Sequence, residues 1–164
     1  MRRSMLLTTC VGGLLMVFMA VGAGCARAQE VFALSGAPYS AGVVAPSGAT
    51  LAVIGGIEGV GANAQAAGTD ALTKMEARLN EVGLNRSHVL KVRAALAPGD
   101  GSEFNGWNTA WSSFYSGGHL PARTTVGSSG LPGDARVVLD VVAAFPPDRG
   151  YPARVDGARE TLNP

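Results

Sequence analysis

The chain has 164 residues, 13 basic and 12 acidic, for a formal charge of +1. That length suits one domain, and the near balance of charge argues against the basic stripe of a nucleic-acid binder. Two cysteines, Cys10 and Cys25, and two distant histidines, His88 and His119, give neither a disulfide framework nor metal-ligand spacing.

The first residues read as a leader. Arg2 and Arg3 form a basic start, Met5 to Ala23 is apolar and uncharged, and Ala26 and Ala28 flank Arg27 in the arrangement that signal peptidase cuts. Residues 1–28 therefore predict a signal peptide and an exported protein, periplasmic or secreted. Two other readings stay open. "GAGC" is an imperfect lipobox with Gly22 at the usual Leu position, which would put a lipid anchor on Cys25; the apolar run is also long enough to remain as a membrane anchor. Cleavage after Ala28 leaves 10 basic against 12 acidic residues, a net charge of −2. It also removes both cysteines, so the mature domain has no thiolate nucleophile and no thiolate metal site. A domain of this size buries roughly two-thirds of its unfolded surface and folds without staples.

Residues 29–34 form a short N-terminal segment of unclear role, and residues 35–145 carry the domain. Val43–Val44 and Leu51–Ile54 are short apolar runs around "APSGA", which reads as a β-hairpin. Gly55 and Gly56 end the second run, where glycine lets backbone or ligand come close. Ala64, Ala67, Ala71, Leu72, Met75, Leu79 and Val82 repeat at steps of 3 and 4, predicting a helix over about 64–82 that stops at Gly83. Val89 to Leu96 alternates as a strand closed by Pro98. Ser102 is placed to cap a second helix, along which Phe104, Trp107, Trp111, Phe114 and Tyr115 form an aromatic stripe; core packing is its leading explanation. Gly117 and Gly118 stop that helix. Strands follow at 123–126 and 136–145, and the proline-rich, aperiodic tail 146–164 reads as disordered.

The order β-β-α-β-α-β-β makes an α+β sandwich, a single sheet with two helices on one face. Val43, Leu51, Val53, Val137, Leu139 and Val141 offer more apolar strand surface than two helices can cover, which predicts self-association.

Few residues stand out for chemistry. Arg123 opens a neutral β-branched strand in "PARTTV". A guanidinium suits planar capture of a carboxylate; the plainer reading is an ion pair with Asp134 or Asp140. Asp140 stands among valines in "VVLDVVAA", with Val138 and Val142 on its own face, so it is either paired or raised in pKa. Tyr39 in "GAPYS" is placed to donate a phenol hydrogen bond, Asn108 is polar beside an aromatic face, and His119 reads as an exposed loop residue. No catalytic triad or phosphate-binding loop can be assembled.

Four stretches, "GAPYSAGVV", "ALTKMEARLNEVGLNRSHVLKV", "FNGWNTAWSSFY" and "LPARTTVGSSGLPGDARVVLDVVAAF", resemble in order and spacing the RidA (YjgF/YER057c/UK114) family over residues 35–145. The resemblance implies a chorismate-mutase-like fold, a homotrimer, and clefts between subunits lined from two chains. It implies hydrolysis of enamine/imine intermediates such as 2-aminoacrylate to 2-keto acids and ammonia, without metal or organic cofactor. By that resemblance Arg123 grips the substrate carboxylate, Tyr39 and Asn108 line the cleft, Gly56 is the glycine retained after the second strand, and Thr125 stands where many members have cysteine. The sequence also departs from the family. The acid credited with positioning the hydrolytic water is Val138 here; only the second acid survives, as Asp140. The serine and glutamine of the family's S-G-Q are Gly55 and Ile57. A non-catalytic trimer that binds a small carboxylate is therefore the alternative. The family's older endoribonuclease label suggests a third reading, an RNase, which the acidic mature charge and the lack of a histidine pair oppose; no nucleic acid is expected as partner.

Overall fold

The structure, a computed structural model, describes residues 30–33 and 36–147. The signal-peptide reading and residues 148–164 of the tail lie outside them. Among the described residues, six strands and two α-helices follow in the order β1 (Glu30–Ala33), β2 (Ser40–Val44), β3 (Leu51–Gly59), α1 (Ala64–Glu81), β4 (Val89–Leu96), α2 (Ser102–Phe114), β5 (Ala122–Gly127) and β6 (Val137–Ala144). The strands make one mixed sheet in the order β1-β2-β5-β4-β6-β3. β4 lies at its centre, parallel to β5 and antiparallel to β6.

The core forms where the two apolar periods meet. Along β4, Val92, Ala94 and Leu96 point to the helices, and along β6 Val137, Leu139, Val141 and Ala143 do; all are buried. α1 lays Ala67, Ala71, Leu72, Met75 and Leu79 over them, and α2 adds Trp107, Ala110 and Trp111. Asn63 caps α1, its side chain accepting from the Ala66 N–H at 2.9 Å, as an Asn at that position does. Gly83, at φ +75°, turns the chain at the helix end.

The end of β3 passes under α1 so closely that a Cβ at Gly59 would stand 2.1 Å from the carbonyl oxygen of Ala67. Helix backbone cannot yield as a side chain does. Gly59→Ala is thus expected to lower stability by about 1–3 kcal/mol through overpacking, read as a lowered midpoint in a urea melt; an unchanged midpoint would contradict it.

Several expectations are corrected. The runs either side of "APSGA" do not pair with each other. β2 pairs with β1 and touches β5, while β3 pairs with β6 at the opposite edge of the sheet. The hairpin partner of β2 is β1, from the segment left without a role, with Glu30 opposite Val44. Local turn chemistry creates two strands, but buried long-range contacts choose their neighbours. Gly55 and Gly56 do not end β3. The strand runs on to Gly59 through a register shift between Ile54 and Ile57, a bulge made possible by Gly56 at φ +65°. Ser102 is the first residue of α2 rather than its cap; Gly101 holds that position at φ +97°. Val137, Leu139 and Val141 are covered by helices. The surplus apolar surface is instead on the other face, where Val53 is 78% and Leu51 52% exposed, opposite Val142 and Ala144 of β6.

Candidate ligand site

Alternation along β5 decides which side chains meet. Arg123 and Thr125 lie in register with Val92 and Ala94, so both face the helix layer; Thr124 lies with Arg93 on the opposite side. Above Arg123 stands the aromatic stripe of α2. The guanidinium carbon is 4.8 Å from the Tyr39 ring centre, 5.1 Å from Trp111 and 5.9 Å from Trp107, distances at which a ring face attracts a cation. Arg123 Nη2 donates to Asn108 Oδ1 at 2.6 Å. Arg123 Nη1 is buried and has no hydrogen-bond partner among the described residues. None of the ion pairs there involves Arg123. Removal from water pulls its pKa below the usual guanidinium value.

The surrounding chain is tethered to hold this arrangement. Trp111 Nε1 donates to the Pro38 carbonyl, which fixes the residue before Tyr39. Ser40 is buried, its hydroxyl donates to the Leu120 carbonyl, and its N–H donates to the Pro121 carbonyl at 3.2 Å. β2 meets β5 in register only at Ser40 and Ala122, so these contacts carry the junction. Trp107 Nε1 donates to Thr125 Oγ1 at 3.2 Å.

Asp140 and Gly56 lie elsewhere. Asp140 is in register with Arg93 on the face away from the helices. Its Oδ2 accepts from Arg93 Nη1 at 3.2 Å and its Oδ1 from the Gly56 N–H at 3.3 Å. The plainer expectation, Arg123 paired with Asp134 or Asp140, is therefore overturned: strand parity puts Asp140 on the wrong side of the sheet, where Arg93 takes it, and Arg123 pairs with no carboxylate among the described residues. Val138, in register with Ala95, shares the Asp140 face. One subunit thus brings Arg123, Tyr39, Asn108 and Thr125 together and keeps Gly56 and Asp140 behind the sheet. His119 is not a free loop residue; it is half-buried and its Nε2 donates to the Val89 carbonyl at 2.6 Å. Among the described residues no cluster of His, Cys, Asp or Glu is gathered for a metal.

Sequence reasoning missed the tryptophans as site residues. Trp107 and Trp111 are fully buried core and wall for Arg123 at once; the available signal was polar Asn108 one step after Trp107. Tyr115, its ring centre 4.5 Å from that of Trp111 and tilted to it, belongs to the core rather than to the Arg123 cluster. Its hydroxyl is buried with no partner among the described residues, and burial pushes its pKa well above that of a free phenol. A raised acid pKa leaves stability whole below the unfolded value near 10 and erodes it as pH climbs above that. Tyr115→Phe is expected to be neutral or to stabilise by about 1 kcal/mol at pH 7, and to lessen the loss between pH 9 and 11, measured by urea melts; a large loss at pH 7 would show that the hydroxyl is partnered.

An α+β sandwich of chorismate-mutase-like architecture, with an arginine held among aromatic rings at the junction of β2, β5 and α2, defines the class of protein. The endoribonuclease L-PSP family model matches residues 32–145, and the chain belongs to this family, the Rid or YjgF family of its solved relatives. A RutC family protein of Synechocystis sp. is 29% identical over 118 residues, covering 72% of this chain and 85% of that protein. The conserved Rid protein YyfB of Yersinia pestis superposes with a TM-score of 0.63 at 15% identity, covering 73% of this chain and 100% of that one. A YjgF/YER057c/UK114 member from Mycobacterium tuberculosis gives 0.53 at 21% identity, covering 72% and 100%. These solved structures are similar in fold.

Proposed function

We propose that the protein hydrolyses reactive 2-imino acids, and the enamines in equilibrium with them, to 2-keto acids and ammonia, with Arg123 binding the carboxylate. The observation that carries this reading is the buried, partnerless Nη1 of Arg123. A charged donor withdrawn from water without an acid of its own is stabilised by an anion of a ligand. In the reaction, water adds to the imine carbon, the nitrogen gains protons, and ammonia leaves as the carbonyl forms. No cofactor is required. Fixing the carboxylate would orient the neighbouring carbon for attack.

The working site in this proposal is shared between subunits of a homotrimer. The uncovered face with Val53, Leu51, Gly56 and Asp140 meets the Arg123 cluster of the next copy, which would reunite the two halves that the sheet separates. Asp140 has both oxygens engaged, so its role here is to hold the Gly56 bulge and present its backbone, rather than to act as a base. The leader sequence supports a location outside the cytoplasm.

Val138, an apolar residue where the resemblance places a water-positioning acid, favours a second reading: a trimer that binds a small carboxylate without turning it over. Generating 2-aminoacrylate or 2-iminobutanoate in situ, and following keto-acid release with the purified mature protein, separates the two. Acceleration over buffer supports the hydrolase; binding of 2-keto acids without acceleration supports the binder. Both histidines are engaged with backbone groups, which gives the RNase reading no histidine pair.

A further inference from the structure

We infer that Thr125 is the second donor of the carboxylate site and that Trp107 positions it; this rests on the carboxylate reading above. An indole N–H can only donate. At 3.2 Å from Trp107 Nε1, Thr125 Oγ1 is therefore the acceptor, and its own proton has to point elsewhere. The described residues give that proton no acceptor. Arg123, two residues earlier on the same face of β5, has its own unspent donor in Nη1. Fully buried Trp107 adjoins both, bonded to Thr125 and with its ring 5.9 Å from the Arg123 guanidinium carbon.

Two unspent donors on one strand face fit an anion with two oxygens. One carboxylate oxygen goes to Arg123 Nη1 and the other to the Thr125 hydroxyl. One donor is charged and the other neutral, which matches a monoanion, a 2-keto or 2-imino carboxylate, in preference to a phosphate dianion. The indole bond matters because a hydroxyl is a free rotor with both donor and acceptor capacity. Trp107 occupies the acceptor side and so turns Thr125 into a donor toward the ligand. A cysteine thiol, a weak donor, would do this less well.

The test titrates pyruvate and 2-oxobutyrate, with inorganic phosphate as comparison, into the mature protein by calorimetry. Thr125→Val keeps the shape and removes the hydroxyl; it is expected to raise the dissociation constant about fivefold to tenfold, the worth of one hydrogen bond. Thr125→Ser is expected to stay within about twofold, as the conservative rescue. Trp107→Phe is expected to weaken binding in the native background and to add no further loss in a Thr125→Val background, where a merely structural role would weaken both equally. Wild-type binding that Thr125→Val leaves unchanged overturns the assignment while the Arg123 reading stands. Trp107→Phe losses that are equal in the two backgrounds overturn the positioning role. No binding of either keto acid by the wild type overturns the carboxylate reading, and Thr125 with it.

Discussion

Arg123→Ala is expected to remove 2-keto acid binding and turnover together while the protein stays folded. A charge-assisted hydrogen bond is worth on the order of 1.5–3 kcal/mol, so the loss is about 10-fold to 150-fold in affinity, and larger if water attack depends on the fixed carboxylate. The fold tolerates the change because Arg123 pairs with no acid among the described residues. Truncation loses one bond to Asn108 and the ring contacts, and relieves the withdrawal of a charge from water, so the melting temperature should move by only a few degrees. A thermal-shift series with pyruvate reads both at once. A ligand-induced shift that survives in Arg123→Ala would remove Arg123 from the site. Arg123→Lys should not rescue binding, since an ammonium offers neither the planar fork nor the flat face that stacks on Tyr39 and Trp111.

Val53→Asp is expected to dissociate the oligomer, and with it the activity, without unfolding the protomer. Val53 points away from the helices and is 78% exposed in the single chain, so it contributes little to the protomer's own core. Leu51 on the same strand and Val142, paired with Val53 on β6, make that end of the face apolar, and Val138 lies farther along it beyond Asp140. A carboxylate buried in that face on association would cost several kcal/mol per subunit, and closed rotational symmetry applies the cost in every copy. Light scattering coupled to size exclusion is expected to give a trimer's mass for the native protein and a monomer's for the variant. If the native protein is itself monomeric, or if the variant still assembles, the composite site fails. If the variant is monomeric yet fully active, assembly stands and site sharing fails.

Much of this protein is legible along the chain because it rests on local periodicity. The steps of 3 and 4 from Ala64 to Leu79 place α1 almost to the residue, and the alternation of Val92 and Ala94 with Lys91 and Arg93 places β4. The P-A-R-T stretch singles out Arg123 before any coordinates exist, because a guanidinium at the start of a neutral strand needs an explanation. Strand partners are a different matter. The turn between Val44 and Leu51 suggests a hairpin, yet β3 sits at the far edge of the sheet beside β6, since its partners, Val137 to Ala144, lie near the other end of the domain.

The amino-acid order alone determined the family resemblance, the sandwich class, the helix faces, and a candidate list headed by Arg123, Tyr39, Asn108 and Thr125. Tertiary structure decided which of these stand together. Side chains alternate across a strand with period two, so whether Asp140 faces Arg123 depends on the register of β4 with both β5 and β6. That register puts Asp140 with Arg93 and the Gly56 bulge on one side, and Arg123 among three aromatic rings on the other.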